Sequence, residues 1–312
     1  MSVGLGTDVE VGYAIESTQN TRVEPDTFIR ILGEGMKRNQ QFMPSGGLGG
    51  GRLLNRKKKN GQYEPAGSIE IEVGTTALES LLRLCTYLNP TASGSDPYTR
   101  AYAGLGRQIT SATWGVVRPF AGGEEYFEYE GAVVNQATLT QNAGEYLKAQ
   151  LELMAFDETF DQTKPTFAPP ADEQLLSFQD VTSTVFGTAE CFDSFSLNIN
   201  QNLTRTPKSC AGDAGRTKIH RGGMATVTGT LNDDFKDMDH YGRYVAGTEG
   251  ALVFAWAGEN SSSLTVTMKV FFTGETPNVS GPGEVKQGIP FEILDATSDA
   301  NAFTMTLING VA

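Results

Sequence analysis

The densest group of acids in the chain is Asp233, Asp234, Asp237 and Asp239, followed at once by His240. Carboxylates this close together suit a hard divalent cation. They equally suit the first turn of a helix, whose unpaired N–H groups attract negative charge, and that simpler reading is preferred. The run GGLGGGR has Gly46 and Gly51 at the spacing of a phosphate-binding loop. Arg52 stands where that chemistry needs lysine, Leu53 where it needs a hydroxyl, and no helical pattern follows. Glu124, Glu125, Glu128 and Glu130 could pair as acid and base in glycoside hydrolysis, but their alternation with aromatic residues predicts a solvated strand face. His220 and His240 are the only histidines. They leave little for histidine-based catalysis or a zinc site. The expectation is a protein that is not an enzyme and carries no metal and no cofactor.

The basic residues are organised differently. Residues 33–66 hold Lys37, Arg38, Arg52, Arg56, Lys57, Lys58 and Lys59 against only Glu34 and Glu64. Residues 203–223 hold Arg205, Lys208, Arg216, Lys218 and Arg221. Both tracts read as long Gly-containing loops, and long loops in compact domains are usually functional. Most charge runs are merely solvated. These two occur at equivalent places in a chain of net charge −13, which predicts head-to-tail docking between copies. Residues 37–59 and 205–221 are expected to order only when copies stack.

Each loop leads into the same kind of unit. In Gly67–Leu88, Ile69, Ile71 and Val73 alternate with Ser68, Glu70 and Glu72, the period of a strand with one wet face. Leu78, Leu81, Leu82, Cys85 and Leu88 then recur at helical spacing. Thr76 and Glu79 are placed for a capping box, and Pro90 follows as a stop. The second copy alternates Val227, Gly229 and Leu231 with Thr226, Thr228 and Thr230. Asn232 is the expected cap of a helix carrying Phe235, Met238, Tyr241 and Val245, closed by Gly247. Strands are also predicted at 26–32, 109–117, 126–134, 146–156, 195–200, 252–256, 264–272 and 285–294, with an edge strand at 303–308. Trp114 and Trp256 fall in the first strand after each helix. Order and periodicity together predict an internal duplication. The divisions are an N-terminal arm (1–25), a first β domain (26–160), a Pro-rich linker (161–174) and a second β domain (175–312).

Composition narrows the class. A chain of 312 residues with 36 glycines and 39% hydrophobic residues suits a β-rich fold of two domains. It has no apolar run long enough for a membrane helix. Its first residues lack the charged start and apolar core of a secretory signal, so the sequons at Asn202 and Asn278 carry no weight. Three widely spaced cysteines predict reduced thiols. The acidic balance argues against gripping nucleic acid by its phosphates.

Three sets of segments, in this order along the chain, carry a resemblance. GSIEIEVGTTALESLL follows the first long loop. YFEYEGAVVNQATLTQNAGEYLKAQLELMAFDET is an aromatic strand, a glycine, a hairpin and a long strand ending in Asp-Glu. TPKSCAGDAGR and TGETPNVSGPGEVKQGIPFEIL lie in the second half. Together they resemble the tail tube proteins, or major tail proteins, of long-tailed, siphovirus-type bacteriophages, over nearly the whole chain. The resemblance implies a mainly β, sandwich or barrel-like fold with one flanking helix, here duplicated in tandem. It implies rings stacked into a tube that conducts the genome, assembled in the host bacterial cytoplasm and carried in the virion tail. Self-association, tail tape measure, terminator and distal tail proteins are the implied partners. Double-stranded DNA passes without sequence-specific binding, and no membrane is involved. The basic loops are expected to contact the adjacent ring. Two units per chain favour a trimer with pseudo-sixfold symmetry over the family's hexamer. The lumen-lining candidates are Glu70, Glu72, Gln150, Glu152, Thr226, Thr228 and Thr230. A terminator, a completion protein or a sheathed-tail tube is the nearest alternative. A carbohydrate-active protein or an adhesin is more remote.

Overall fold

The computed structural model describes residues 4–46, 58–160, 162–168, 174–207, 217–274, 285–294 and 297–310, and these are mainly β. In the first half, β1 (Glu10–Ile15), β2 (Thr27–Ile29), β3 (Gly33–Glu34), β4 (Lys37–Pro44) and β5 (Lys58–Glu72) precede α1 (Leu78–Thr86). After α1 come β6 (Tyr98–Ala103), β7 (Ala112–Phe120), β8 (Gly123–Asn142), β9 (Lys148–Met154) and β10 (Asp157–Phe160). In the second half, β11 (Val181–Val185), β12 (Thr188–Ala189), β13 (Ser194–Asn200), β14 (Leu203–Pro207), β15 (Thr217–Arg221) and β16 (Thr226–Asp234) precede α2 (Asp239–Ala246). The chain finishes with β17 (Glu249–Ala257), β18 (Ser263–Phe272), β19 (Lys286–Ile293), α3 (Asp299–Ala302) and β20 (Phe303–Asn309).

The two halves pair their strands in the same pattern, always antiparallel. In the first, β1 joins β7, β7 joins β8 and β8 joins β10. A second group runs β3, β5, β9, β8. In the second half the corresponding groups are β11, β17, β18, β20 and β13, β16, β19, β18. The halves meet where β13 lies along the downstream part of β8, from Ser194 opposite Asn142 to Asn200 opposite Gln136. A further ladder joins β20 to β6. Main-chain pairing therefore runs without a break from β3 through β5, β9, β8, β13, β16 and β19 to β18.

One strand serves two sheets because of a glycine. β8 is 20 residues long. Its upstream part pairs with β7 and β10, its downstream part with β9 and β13. The change falls at Gly131, which holds φ +59°, a region that side chains with a Cβ adopt at a cost. Its N–H donates to the buried carboxylate of Glu16 at 2.7 Å. Glu16 also accepts from the Ser111 and Thr113 hydroxyls at 2.7 and 2.9 Å and from the Asn20 N–H at 2.9 Å, so a buried charge is fully partnered.

Apolar faces of both sheets, with α1, form one core. Ile69, Ile71, Leu151, Leu139, Leu197 and Leu231 face it from the continuous sheet, and Tyr13, Trp114, Phe254 and Trp256 from the other strands. Tyr13 stacks on Trp114 at 4.6 Å, and the Trp256 Nε1–H donates to Gln141 Oε1 at 3.0 Å. Leu78, Leu81, Leu82, Leu84 and Cys85 of α1 are buried. Burial pushes the Cys85 thiol up to about 12, which keeps it protonated and inert.

Several expectations are corrected. Residues 1–25 are not simply an arm, because β1 is a core strand clasped between β2 and β7. The alternation Val11, Tyr13 is too short to stand out in a Gly-rich context. The segment after α1 contains β6, so Trp114 lies in the second strand after the helix rather than the first. The capping box is not made. α1 starts after Ala77 with no side-chain cap, and Tyr87 ends it in the left-handed conformation. Asn232 does not cap α2, because β16 continues to Asp234 and the helix begins at Asp239. Gly247 ends α2 at φ +62°, as its position predicts. Residues 157–160, which follow the strand expected at 146–156, pair with β8 as β10. The described linker is strapped to the first half by Lys164 against Glu10 at 2.6 Å and by Phe167 against Phe28 at 4.7 Å.

Replacing Gly131 with alanine tests the crossing directly. The new Cβ would collide with Asn20 Oδ1 and Phe156 Cβ at a positive φ. Urea unfolding should show a loss of at least about 2 kcal/mol, whereas Gly144→Ala, in an open turn, should cost about 1 kcal/mol.

Candidate functional site

The alternation that buries one face of the continuous sheet leaves the other face polar from β5 through β16, up to Pro290 of β19 and Phe271 of β18. One row across the strands reads Glu70, Gln150, Thr138, Asn198, Thr228 and Glu292. A second reads Glu72, Lys148, Thr140, Ser196 and Thr230, and a third Ser68, Glu152, Gln136, Asn200 and Thr226. All seven residues expected to share a polar surface, Glu70, Glu72, Gln150, Glu152, Thr226, Thr228 and Thr230, fall in these rows. Glu70, Gln150, Glu152 and Thr226 are exposed, and the other three half-buried. Sequence reasoning missed Gln136, Thr138, Thr140, Ser196, Asn198, Asn200 and Glu292. The strict alternation in ATLTQN and SFSLNIN carries the signal.

The charge on this face is unbalanced. Glu70, Glu72, Glu152 and Glu292 face only Lys148 within the three rows. That lysine is held by Glu145 at 2.9 Å; the hydrogen bond raises the lysine pKa and lowers the carboxylate's. The remaining positions are hydroxyls and amides. Such a surface offers no cluster of cations for phosphates and no apolar patch for bases.

Two hairpins project from one end of this sheet. β4 and β5 continue as a pair from Lys37 opposite Ala66 to Pro44 opposite Lys58. The first basic tract, read as a loop, is thus largely strand in its described parts. Lys37, Arg38, Lys58 and Lys59 are exposed on it, with Arg38 over the Tyr63 ring at 3.9 Å and Lys58 over Phe42 at 4.6 Å. Arg52, Arg56 and Lys57 lie outside the described residues. The base is locked by Arg118, whose Nε and Nη2 donate to the Glu34 carboxylate at 2.7 and 2.8 Å and whose Nη2 donates to the Met36 carbonyl at 2.6 Å. This fork holds the Arg118 pKa well above its usual value, through the Glu34 hydrogen bonds first.

The second hairpin, β14–β15, rises between β13 and β16. Leu203 and Ile219 pack on Tyr87 and Val133 of the first half. Arg205 donates to the carbonyls of Ala155 at 2.9 Å and Pro65 at 2.5 Å. Burial lowers its pKa. Arg221 donates to the Gly106 carbonyl and lies over Tyr87 at 5.6 Å. These two arginines are bound within their own chain, while Lys218 is exposed. Lys208 and Arg216 lie outside the described residues.

Asp233 and Asp234 of the acid cluster are taken up in ion pairs, while Asp237 accepts from the Asp239 N–H at the start of α2. Asp233 meets Lys236 at 2.7 Å, and Asp234 and Asp193 share Lys286 at 2.5 and 2.7 Å. His240 Nε2 contacts Glu190 at 2.9 Å. Among the described residues no three His, Cys, Asp or Glu side chains are arranged to hold a metal. Glu128, expected on a solvated face, is instead fully buried and paired with Arg22 at 2.6 Å. Burial raises its pKa and Arg22 opposes that rise.

A family model described as phage tail tube protein matches residues 6–293. The chain belongs to the phage tail tube family, and it is a structural component of a phage tail. No curated protein matches it.

Arg118 supplies a test of how the first hairpin is held. Arg118→Ala removes a charged fork and should destabilise the chain by about 2 kcal/mol. Hydrogen exchange at residues 33–44 should quicken more than at β13. Equal protection in both variants would show that the fork does not set the hairpin's base.

Proposed function

We propose that three copies of the chain form a ring, and that rings stack into a tube through which the phage genome passes on ejection into the host. The observation that carries this reading is the β8–β13 ladder. It joins four strands of the first half to four of the second through main-chain hydrogen bonds. The two halves share one pairing pattern, which supports a tandem duplication, with one tube unit running from β1 to β10 and another from β11 to β20. The same junction, repeated between chains, would bring the β18 side of one copy against the β3 side of the next. Exposed sheet edges invite such pairing, and closure removes them. Three chains then supply six units around a lumen, with sixfold symmetry only approximate because the units differ in sequence.

The polar face becomes the lumen wall in this assembly. Its acids repel phosphates, and its hydroxyls and amides give no fixed array of cations to bind them. The exposed cations of the β4–β5 hairpin and Lys218 are placed at one end of the sheet, where they face the next ring. Tape measure, terminator and distal tail proteins would be the further partners, and assembly would take place in the host bacterial cytoplasm.

Averaged electron micrographs of tube cross-sections from purified protein test the reading. Three chains per ring are expected, and six identical chains would overturn the trimer. A tube wall with Glu70 and Glu152 on its outer surface would overturn the lumen assignment.

Charge on the wall offers a second test. Tubes carrying Glu70→Lys, Glu72→Lys and Glu152→Lys together should retain double-stranded DNA in a salt-dependent way, while wild-type tubes release it. Equal release from both would count against a wall that faces DNA.

A further inference from the structure

We propose that the side-chain amide of Gln40 caps the C-terminal end of α2 in the neighbouring copy of the same ring, and that this contact covers Val245 and Met238. The inference rests on the ring proposed above and names a contact between its chains.

The joint inside the chain supplies the pattern. Gln201, just past β13, donates from Nε2 to the Cys85 carbonyl at 2.5 Å. Cys85 lies two residues before Tyr87, where α1 ends in the left-handed conformation. The last carbonyls of a helix have no partner within it, so a side chain of the second half satisfies a helix end of the first.

α2 has the same kind of end. Gly247 closes it in the left-handed conformation, and its N–H donates to the Arg243 carbonyl as that of Tyr87 does to Arg83. Counted back from the two caps, Val245 stands where Cys85 does and Met238 where Leu78 does. Cys85 and Leu78 are 7% and 3% exposed, whereas Val245 and Met238 are 66% and 58% exposed. The helix end that is closed over in the first half is open in the second, with two apolar side chains on it.

Strand register finds the matching donor. A Cβ on Gly67 would strike the Gly35 carbonyl, and one on Gly229 would strike the Ser196 carbonyl. Gly35 and Ser196 therefore hold equivalent places beside β5 and β16. Gln201 comes five residues after Ser196, and Gln40 comes five residues after Gly35. Gln40 sits opposite Tyr63 near the base of the β4–β5 hairpin, as Gln201 sits at the base of β14–β15. The same residue type thus recurs at the same register. In the separate chain the Gln40 amide donates to the Gln41 and Gly61 carbonyls at 3.0 Å; on the ring it turns to the helix end. It cannot reach α2 of its own chain. α2 lies beside β18, with His240 edge-on to Phe272 at 5.8 Å, and β18 and β3 stand at opposite ends of the continuous pairing. A neighbour set against β18 as β13 is set against β8 brings donor and helix together. Burial of Val245 supplies affinity, and the amide–carbonyl bond fixes the register.

Cross-linking in assembled rings tests the contact. A chain carrying Gln40→Cys and Val245→Cys, with Cys191→Ser and Cys210→Ser, is assembled and treated with a short bis-maleimide; Cys85 is buried and stays. The expected peptides join positions 40 and 245, and the linked products end at three chains because the ring closes. Rings that form without this link overturn the contact and leave the ring intact. An open ladder of longer products places the link between rings and also overturns it. Closure at six chains keeps the contact and overturns the trimer. Val245→Lys, a charge suited to a helix C-terminus, should leave unfolding of the separate chain unchanged and raise the concentration needed for ring formation at least about tenfold. Normal ring formation by that variant overturns the covering of α2. Failure of the wild-type chain to form rings at all removes the ring, and the contact with it.

Discussion

A β-sheet with one wet face and one packed face has nowhere to put its edges. That constraint governs this chain. The apolar face is covered by the other strands and α1, and the polar face needs no cover. The free main-chain groups along the first and last strands still need partners. Within the chain one such pair of edges is already satisfied, where β13 completes β8. This junction explains why the polar residues of β13, Ser196, Asn198 and Asn200, continue rows begun by Thr140, Thr138 and Gln136. The ladder aligns the faces, so a polar surface grows across two units without any side chain having to specify it.

Pairing and periodicity were legible because they are local. The strands read from alternation at 195–200, 264–272 and 285–294 lie within a residue or two of those found, and Gly247 ends its helix as its position implies. The features that were not legible depend on distant partners. β6 is a short strand among Pro- and Gly-punctuated sequence and earns its place by pairing with β20, some two hundred positions away. Glu128 looks solvent-facing in its own strand, and only the return of Arg22 from the N-terminal segment makes its burial tolerable. Arg205 and Arg221 read as members of a free basic loop, yet the carbonyls that hold them belong to the first half. A charge count cannot tell a cation that reaches outward from one that folds back.

The two halves share a pairing pattern but not an environment. α1 buries six residues, and Gln201 from the second half donates to its Cys85 carbonyl at 2.5 Å. β6, held by β20, adds Tyr102, whose hydroxyl donates to the Glu79 carbonyl at 3.0 Å. α2 buries none of its residues, and Val245 and the preceding Met238 are exposed. The difference follows from what lies next to each helix. α1 has the second half beside it. α2 has no third half within the chain. On the proposed ring, the neighbouring chain stands where a third half would.

A tandem duplication, as proposed, changes what such a ring requires. With one unit per chain, every junction forms between separate molecules and each costs translational and rotational freedom. With two units per chain, half of the junctions of the proposed ring form during folding, at the high effective concentration that a short tether provides. The tether here is also strapped down, by Lys164 against Glu10 and Phe167 against Phe28, which narrows the relative positions open to the second unit. Fusion further allows the two hairpins to diverge. The second is anchored onto the first half by Arg205, Arg221 and the Leu203–Ile219 cluster. Beyond its base, the first carries the exposed Lys58 and Lys59 away from the body. A ring of identical units would have to give both tasks, holding the junction and reaching the next ring, to one hairpin sequence. In the proposed tube they are divided between two.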